Sequence, residues 1–126
     1  MKKIITTSGA PAPIGPYSQA VLSGNTLYTS GQIALDPNTG TLVLDDIITE
    51  TRQVMTNLKA VLEAADMTFE NVIKSSIFIS NMDDFSQINE VYGSFFDETN
   101  APARETVQVA RLPKNVNVEI GMIAVK

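Results

Sequence analysis

A chain of 126 residues with no histidine and no cysteine can hold neither a Ser-His-Asp nor a Cys-His nucleophile system, nor a zinc site with nitrogen or sulfur ligands. Its net charge is −5 and its nine Lys and Arg residues are scattered, which argues against nucleic-acid binding, since that needs clustered phosphate contacts. No apolar run approaches the roughly 18 residues of a membrane span, and Ile4-Ile5 is far too short for a signal-peptide core, so a single soluble, cytoplasmic domain over residues 1–126 is expected.

The elements follow in chain order. Ser8 to Pro16, with prolines at 11, 13 and 16 and glycines at 9 and 15, reads as an extended loop poor in hydrogen bonds. Gln19–Leu22 and Thr26–Ala34 read as two strands of a hairpin joined by Ser23-Gly24-Asn25. Gly31 interrupts the second strand, either as a bulge or as backbone kept open for a ligand. Asp36-Pro37-Asn38-Thr39-Gly40 resembles the start of a calcium loop, but Ile47 stands where the bidentate acid belongs, so a turn is the better reading. Ile47, Ile48, Val54, Met55, Leu58, Val61, Leu62 and Ala65 then recur at helical spacing on one stripe, with Asp45 or Asp46 as a cap.

Val72–Ser80 is rich in β-branched residues and is expected as a strand. Asn81-Met82-Asp83-Asp84 leads into a second helix running to about Phe96. Its stripe of Phe85, Ile88, Val91, Tyr92, Phe95 and Phe96 reads as core, and Asn89 lies off that stripe. Thr106–Ala110 and Val116–Val125 read as closing strands in a hairpin-like arrangement, broken by Leu112-Pro113 and Lys114-Asn115. The order is strand, hairpin, helix, strand, helix and two closing strands. It predicts an α+β domain with one mixed sheet and two helices packed on one face. Val118 to Val125 is apolar on both faces apart from Glu119, so the other sheet face wants a partner.

Arg104 and Glu119 stand out because they place opposite charges among residues that read as strands. Strand alternation puts Val118 and Ile120 on one face and Asn117 and Glu119 on the other. A guanidinium and a carboxylate near one cleft can hold a small carboxylate and a water. The same pair can equally form a structural salt bridge or two solvated side chains.

The residues in order, Ile14-Gly15-Pro16-Tyr17-Ser18-Gln19-Ala20, Thr29-Ser30-Gly31-Gln32-Ile33, Asn89-Glu90-Val91-Tyr92, Pro102-Ala103-Arg104 and Arg111-Leu112-Pro113, closely resemble the RidA (YjgF-like) family of reactive-intermediate deaminases. The chain departs from the family at Thr106, where many members carry cysteine, and at Asn100-Ala101. The resemblance implies a chorismate-mutase-like fold and a homotrimer with ligand clefts between subunits. It also implies hydrolysis of enamines and imines such as 2-aminoacrylate to 2-oxo acids and ammonia, with no cofactor and no metal. Under it Arg104 and the Gly31 N–H clamp the substrate carboxylate, while Glu119 and the Thr106 backbone hold the water. Tyr17, Ser30 and Asn89 shape the pocket. The alternative is a non-catalytic protein that binds or senses 2-oxo acids through the same cleft. Ribonuclease and translation-inhibitor activities have also been ascribed to the family, and the acidic charge ranks them lower.

Overall fold

The computed structural model describes all 126 residues. Six strands, β1 (Lys2–Ile5), β2 (Ala20–Ser23), β3 (Thr26–Thr29), β4 (Val72–Ile79), β5 (Ala103–Gln108) and β6 (Val118–Val125), form one sheet in the order β1-β2-β3-β6-β4-β5. Two helices, α1 (Ile47–Ala64) and α2 (Phe85–Gly93), pack against each other, and α1 lies on β6. Only β4 and β5 pair in parallel, so the sheet is mixed, as expected.

The β2–β3 hairpin forms through Gly24, whose φ of 61° suits a tight turn. The second strand is shorter than the sequence implies: it stops at Thr29 rather than Ala34. Thr29 Oγ1 accepts the Met122 N–H at 2.9 Å, taking a bond that the ladder would otherwise make. Pairing resumes at Gln32, opposite Ile120. Four residue steps from Tyr28 to Gln32 face three from Ile123 to Ile120, so one extra residue is accommodated around Ser30-Gly31. That is a β-bulge.

Helix α1 matches its stripe. Asp46 caps it by accepting the Thr49 N–H at 2.7 Å, which holds that carboxyl below its usual range. Met55, Leu58, Leu62, Ile77, Ile79 and Ile120 are buried between helices and sheet, and each such side chain contributes about 1.5–3 kcal/mol. Asp36 also behaves as a turn residue, accepting the Asn38 N–H through Oδ1 at 2.8 Å.

The closing strands correct the expected hairpin. β5 begins earlier, at Ala103, and pairs with β4 alone; β6 begins at Val118 and runs between β3 and β4. The residues explain the order. β6 is apolar on both faces and takes a central position, whereas Arg104, Glu105, Thr106 and Gln108 suit an edge. The connection through α2 supplies the crossover that a parallel pair needs. Lys114 and Asn115, both with φ above +50°, turn the chain into β6.

Asn117 also differs from the alternation reading. It precedes β6, and its side chain reaches the helix layer rather than sharing the face of Glu119. There the fully buried Glu50 of α1 accepts the Asn117 backbone N–H at 2.8 Å and its Nδ2 at 2.7 Å. Two hydrogen bonds thus fix the entry to β6 two residues before Glu119.

Candidate active site in two halves

Sheet register decides which candidate residues can meet. Arg104 pairs with Ser75, and Glu119 pairs with Phe78. Ser75 is buried beneath Tyr92 of α2, and Phe78, three residues on, points the opposite way. Within one chain, therefore, Arg104 lies on the helix-covered face and Glu119 on the open face. The two do not form a salt bridge; the ion pair of this region is Lys74–Glu105 at 2.8 Å, which with Ser76 holds the Glu105 carboxyl below its usual range.

The first half-site gathers Tyr17, Ser30, Gly31 and Glu119. An added Cβ on Gly31 would lie 2.6 Å from Glu119 Oε2, so the carboxylate rests directly against the bulge. The Gly31 N–H has no acceptor within the chain and is exposed. Ser30 donates its hydroxyl to the Ser18 carbonyl, and its N–H bonds the Gln19 carbonyl at 2.9 Å, which ties the bulge to the proline-rich loop. Tyr17 of that loop and Gly31 line one small cleft of about 40 Å³, together with Lys114. The Glu119 carboxylate is half-buried and has no hydrogen-bond partner, and burial pushes its pKa above the ordinary value.

The second half-site gathers Asn89, Arg104 and Thr106 where α2 meets the sheet edge. Arg104 Nη1 donates to Asn89 Oδ1 at 2.6 Å, so Asn89 faces the arginine. Both border a cleft of about 440 Å³, a size suited to a small ligand. The Thr106 hydroxyl points to the same face as Arg104 and is buried without a partner.

Sequence pattern misses the residues that hold these halves in place. Gln19 is buried; its Oε1 accepts the Thr7 N–H at 2.7 Å, and its Nε2 donates to the carbonyls of Thr7, Ala10 and Pro11 at 2.9–3.1 Å. It pins the loop that carries Tyr17. Asn57 of α1 is likewise buried and donates to the Ile33 and Leu35 carbonyls at 3.1 and 3.0 Å, fixing the chain just beyond Gly31. Their signal in the sequence is a polar residue beside an apolar stripe, a mark that many surface residues share.

The sheet order, crossover and helix layer define an α+β domain of the YjgF/chorismate-mutase-like fold. The chain belongs to the RidA/YjgF family: residues 7–126 match the family model described as Endoribonuclease L-PSP. It is 52% identical to a RutC family protein of Synechocystis, over 98% of this chain and 95% of that protein. It is 47% identical to the 2-iminobutanoate/2-iminopropanoate deaminase of Salmonella typhimurium, over 100% of this chain and 99% of that one. Among solved structures it resembles E. coli TdcF with bound serine, with a TM-score of 0.93, 48% identity and 98% of both chains covered.

Proposed function

We propose that the protein is a 2-iminobutanoate/2-iminopropanoate deaminase that hydrolyses reactive imines to 2-oxo acids and ammonia. The relatives carrying that name support the reading, as does one observation of the fold: an arginine without an acidic partner on one sheet face and a half-buried carboxylate without a cationic partner on the other. Joining these halves takes a second copy of the chain. The assembly is a homotrimer, consistent with the exposed Tyr28 and Val107 on the open face and with the apolar residues of β6 and β4 that lie between them.

The chemistry follows from the residues. The planar guanidinium of Arg104 takes the substrate carboxylate at two points, and the free Gly31 N–H supplies a third. Water, oriented by Glu119 and the Thr106 main chain, adds to the imine carbon as Glu119 accepts its proton. That proton is returned to nitrogen to give the carbinolamine; Glu119 then takes the hydroxyl proton and passes it to the amino nitrogen as the carbonyl forms and the carbon–nitrogen bond breaks, so ammonia and the 2-oxo acid leave. Tyr17 and Ser30 close the pocket around the amino end. The reaction needs no metal or cofactor, so purified protein treated with chelator is expected to accelerate 2-oxo acid release from freshly generated 2-aminoacrylate and 2-aminocrotonate. An activity lost to chelation and restored by metal would contradict this mechanism.

Gly31→Ala tests the contact between the bulge and the acid. The new methyl meets the mobile end of the Glu119 side chain, so unfolding free energy should change by less than about 1 kcal/mol while turnover falls, read by thermal unfolding beside steady-state kinetics. Thr106→Val should instead raise the unfolding free energy by roughly 1 kcal/mol, because it removes a buried hydroxyl that has no partner while keeping shape.

A further inference from the structure

Arg104 is held in place by neutral groups alone. Its guanidinium carbon lies 5.2 Å from the ring centroid of Tyr92 and 5.7 Å from that of Phe85, both within cation–π range. Nη1 is bound to the amide oxygen of Asn89 at 2.6 Å. Tyr92 is itself fixed: its hydroxyl donates to Ser75 Oγ at 2.8 Å in the buried layer, and Ser75 is the residue paired with Arg104 across the β4–β5 ladder. Strand, ring and guanidinium thus form a closed arrangement. Burial raises the Tyr92 phenol above its ordinary pKa, which keeps the donor protonated.

A carboxylate partner would also order an arginine, but it would occupy the fork and cancel the charge. Two ring faces and one amide oxygen order it without either penalty. We propose that Phe85 and Tyr92 are positioning residues, which set the guanidinium of Arg104 in advance for two-point capture of a carboxylate. Their action on catalysis rests on the reading of Arg104 as the substrate clamp; their action on the order of Arg104 does not.

The test therefore has two arms. In ligand-free protein labelled with nitrogen-15, the Arg104 Nε–H signal, assigned through Arg104→Lys, is expected to show a ring-current shift that Phe85→Leu reduces and Phe85→Trp retains. In titrations with pyruvate, Phe85→Leu should weaken binding about 3- to 10-fold, and Phe85→Trp should restore it, because Trp is the better cation–π partner. KM for imine should rise more than kcat falls. Placed on Arg104→Lys, Phe85→Leu should add less than on the wild type, since the planar group that the ring orients is gone. An Arg104 signal unmoved by Phe85→Leu overturns the proposal, and so does an equal loss of pyruvate affinity in both backgrounds. If pyruvate bound none of the proteins while the signal still moved, the ordering of Arg104 by the rings would be upheld and the deaminase reading alone would fail.

Discussion

Glu119→Gln should lower imine turnover by about 10²–10⁴-fold, the range for loss of a general base, while pyruvate still binds. The amide keeps the size of the acid beside Gly31 but cannot take a proton from water. The pH profile adds a second signature. Burial raises the Glu119 pKa, and under the proposed mechanism the ionised form is the active base, so wild-type turnover should rise with pH through an inflection above the ordinary carboxylate range. Glu119→Gln should lose that inflection. Stability runs the other way: a carboxyl with a raised folded pKa contributes stability below its unfolded pKa and loses it as pH rises through the folded one. Wild-type turnover in Glu119→Gln would leave the cleft as a 2-oxo acid receptor.

Arg104→Lys should damage binding and turnover together. Lysine preserves the charge but offers a point rather than a planar fork, and it fits the ring faces of Phe85 and Tyr92 less well. The loss of a charge-assisted bond of about 1.5–3 kcal/mol corresponds to about 10- to 100-fold in pyruvate affinity, measurable by calorimetry. Glu119→Gln and Arg104→Lys thus differ in kind. The first separates turnover from binding, and the second lowers both.

Much of this fold is legible in the sequence because its signals are local. The α1 stripe, the Asp46 cap, the turn at Gly24 and the interruption at Gly31 each depend on residues a few positions apart, and each appears where the pattern puts it. The partner of β5 depends instead on which strand wins the centre of the sheet. Two adjacent strand-like segments read as a hairpin until β6 is seen to pair on both sides, leaving β5 beside β4. The same limit applies to the site. Alternation tells which neighbours of Glu119 share its face, but only the registers of β4 with β5 and β6 reveal that Arg104 faces the other way. The buried bonding roles of Gln19, Glu50 and Asn57 are not legible in the sequence because their partners lie on distant segments, at separations of 8 to 67 residues. Their buried bonds exist only once the chain has folded.

The proposed division of the site between chains can be tested by complementation. Glu119→Gln and Arg104→Lys chains, each nearly inactive alone, are unfolded together, refolded as a mixture and assayed for imine hydrolysis. A cleft that takes Arg104 from one chain and Glu119 from its neighbour has both intact in about one quarter of the sites of randomly mixed trimers, so activity should return to about that fraction of wild type. If the mixed trimers form, as mass spectrometry would show, and activity stays at the level of the separate variants, the two residues do not act in a shared cleft and the account fails.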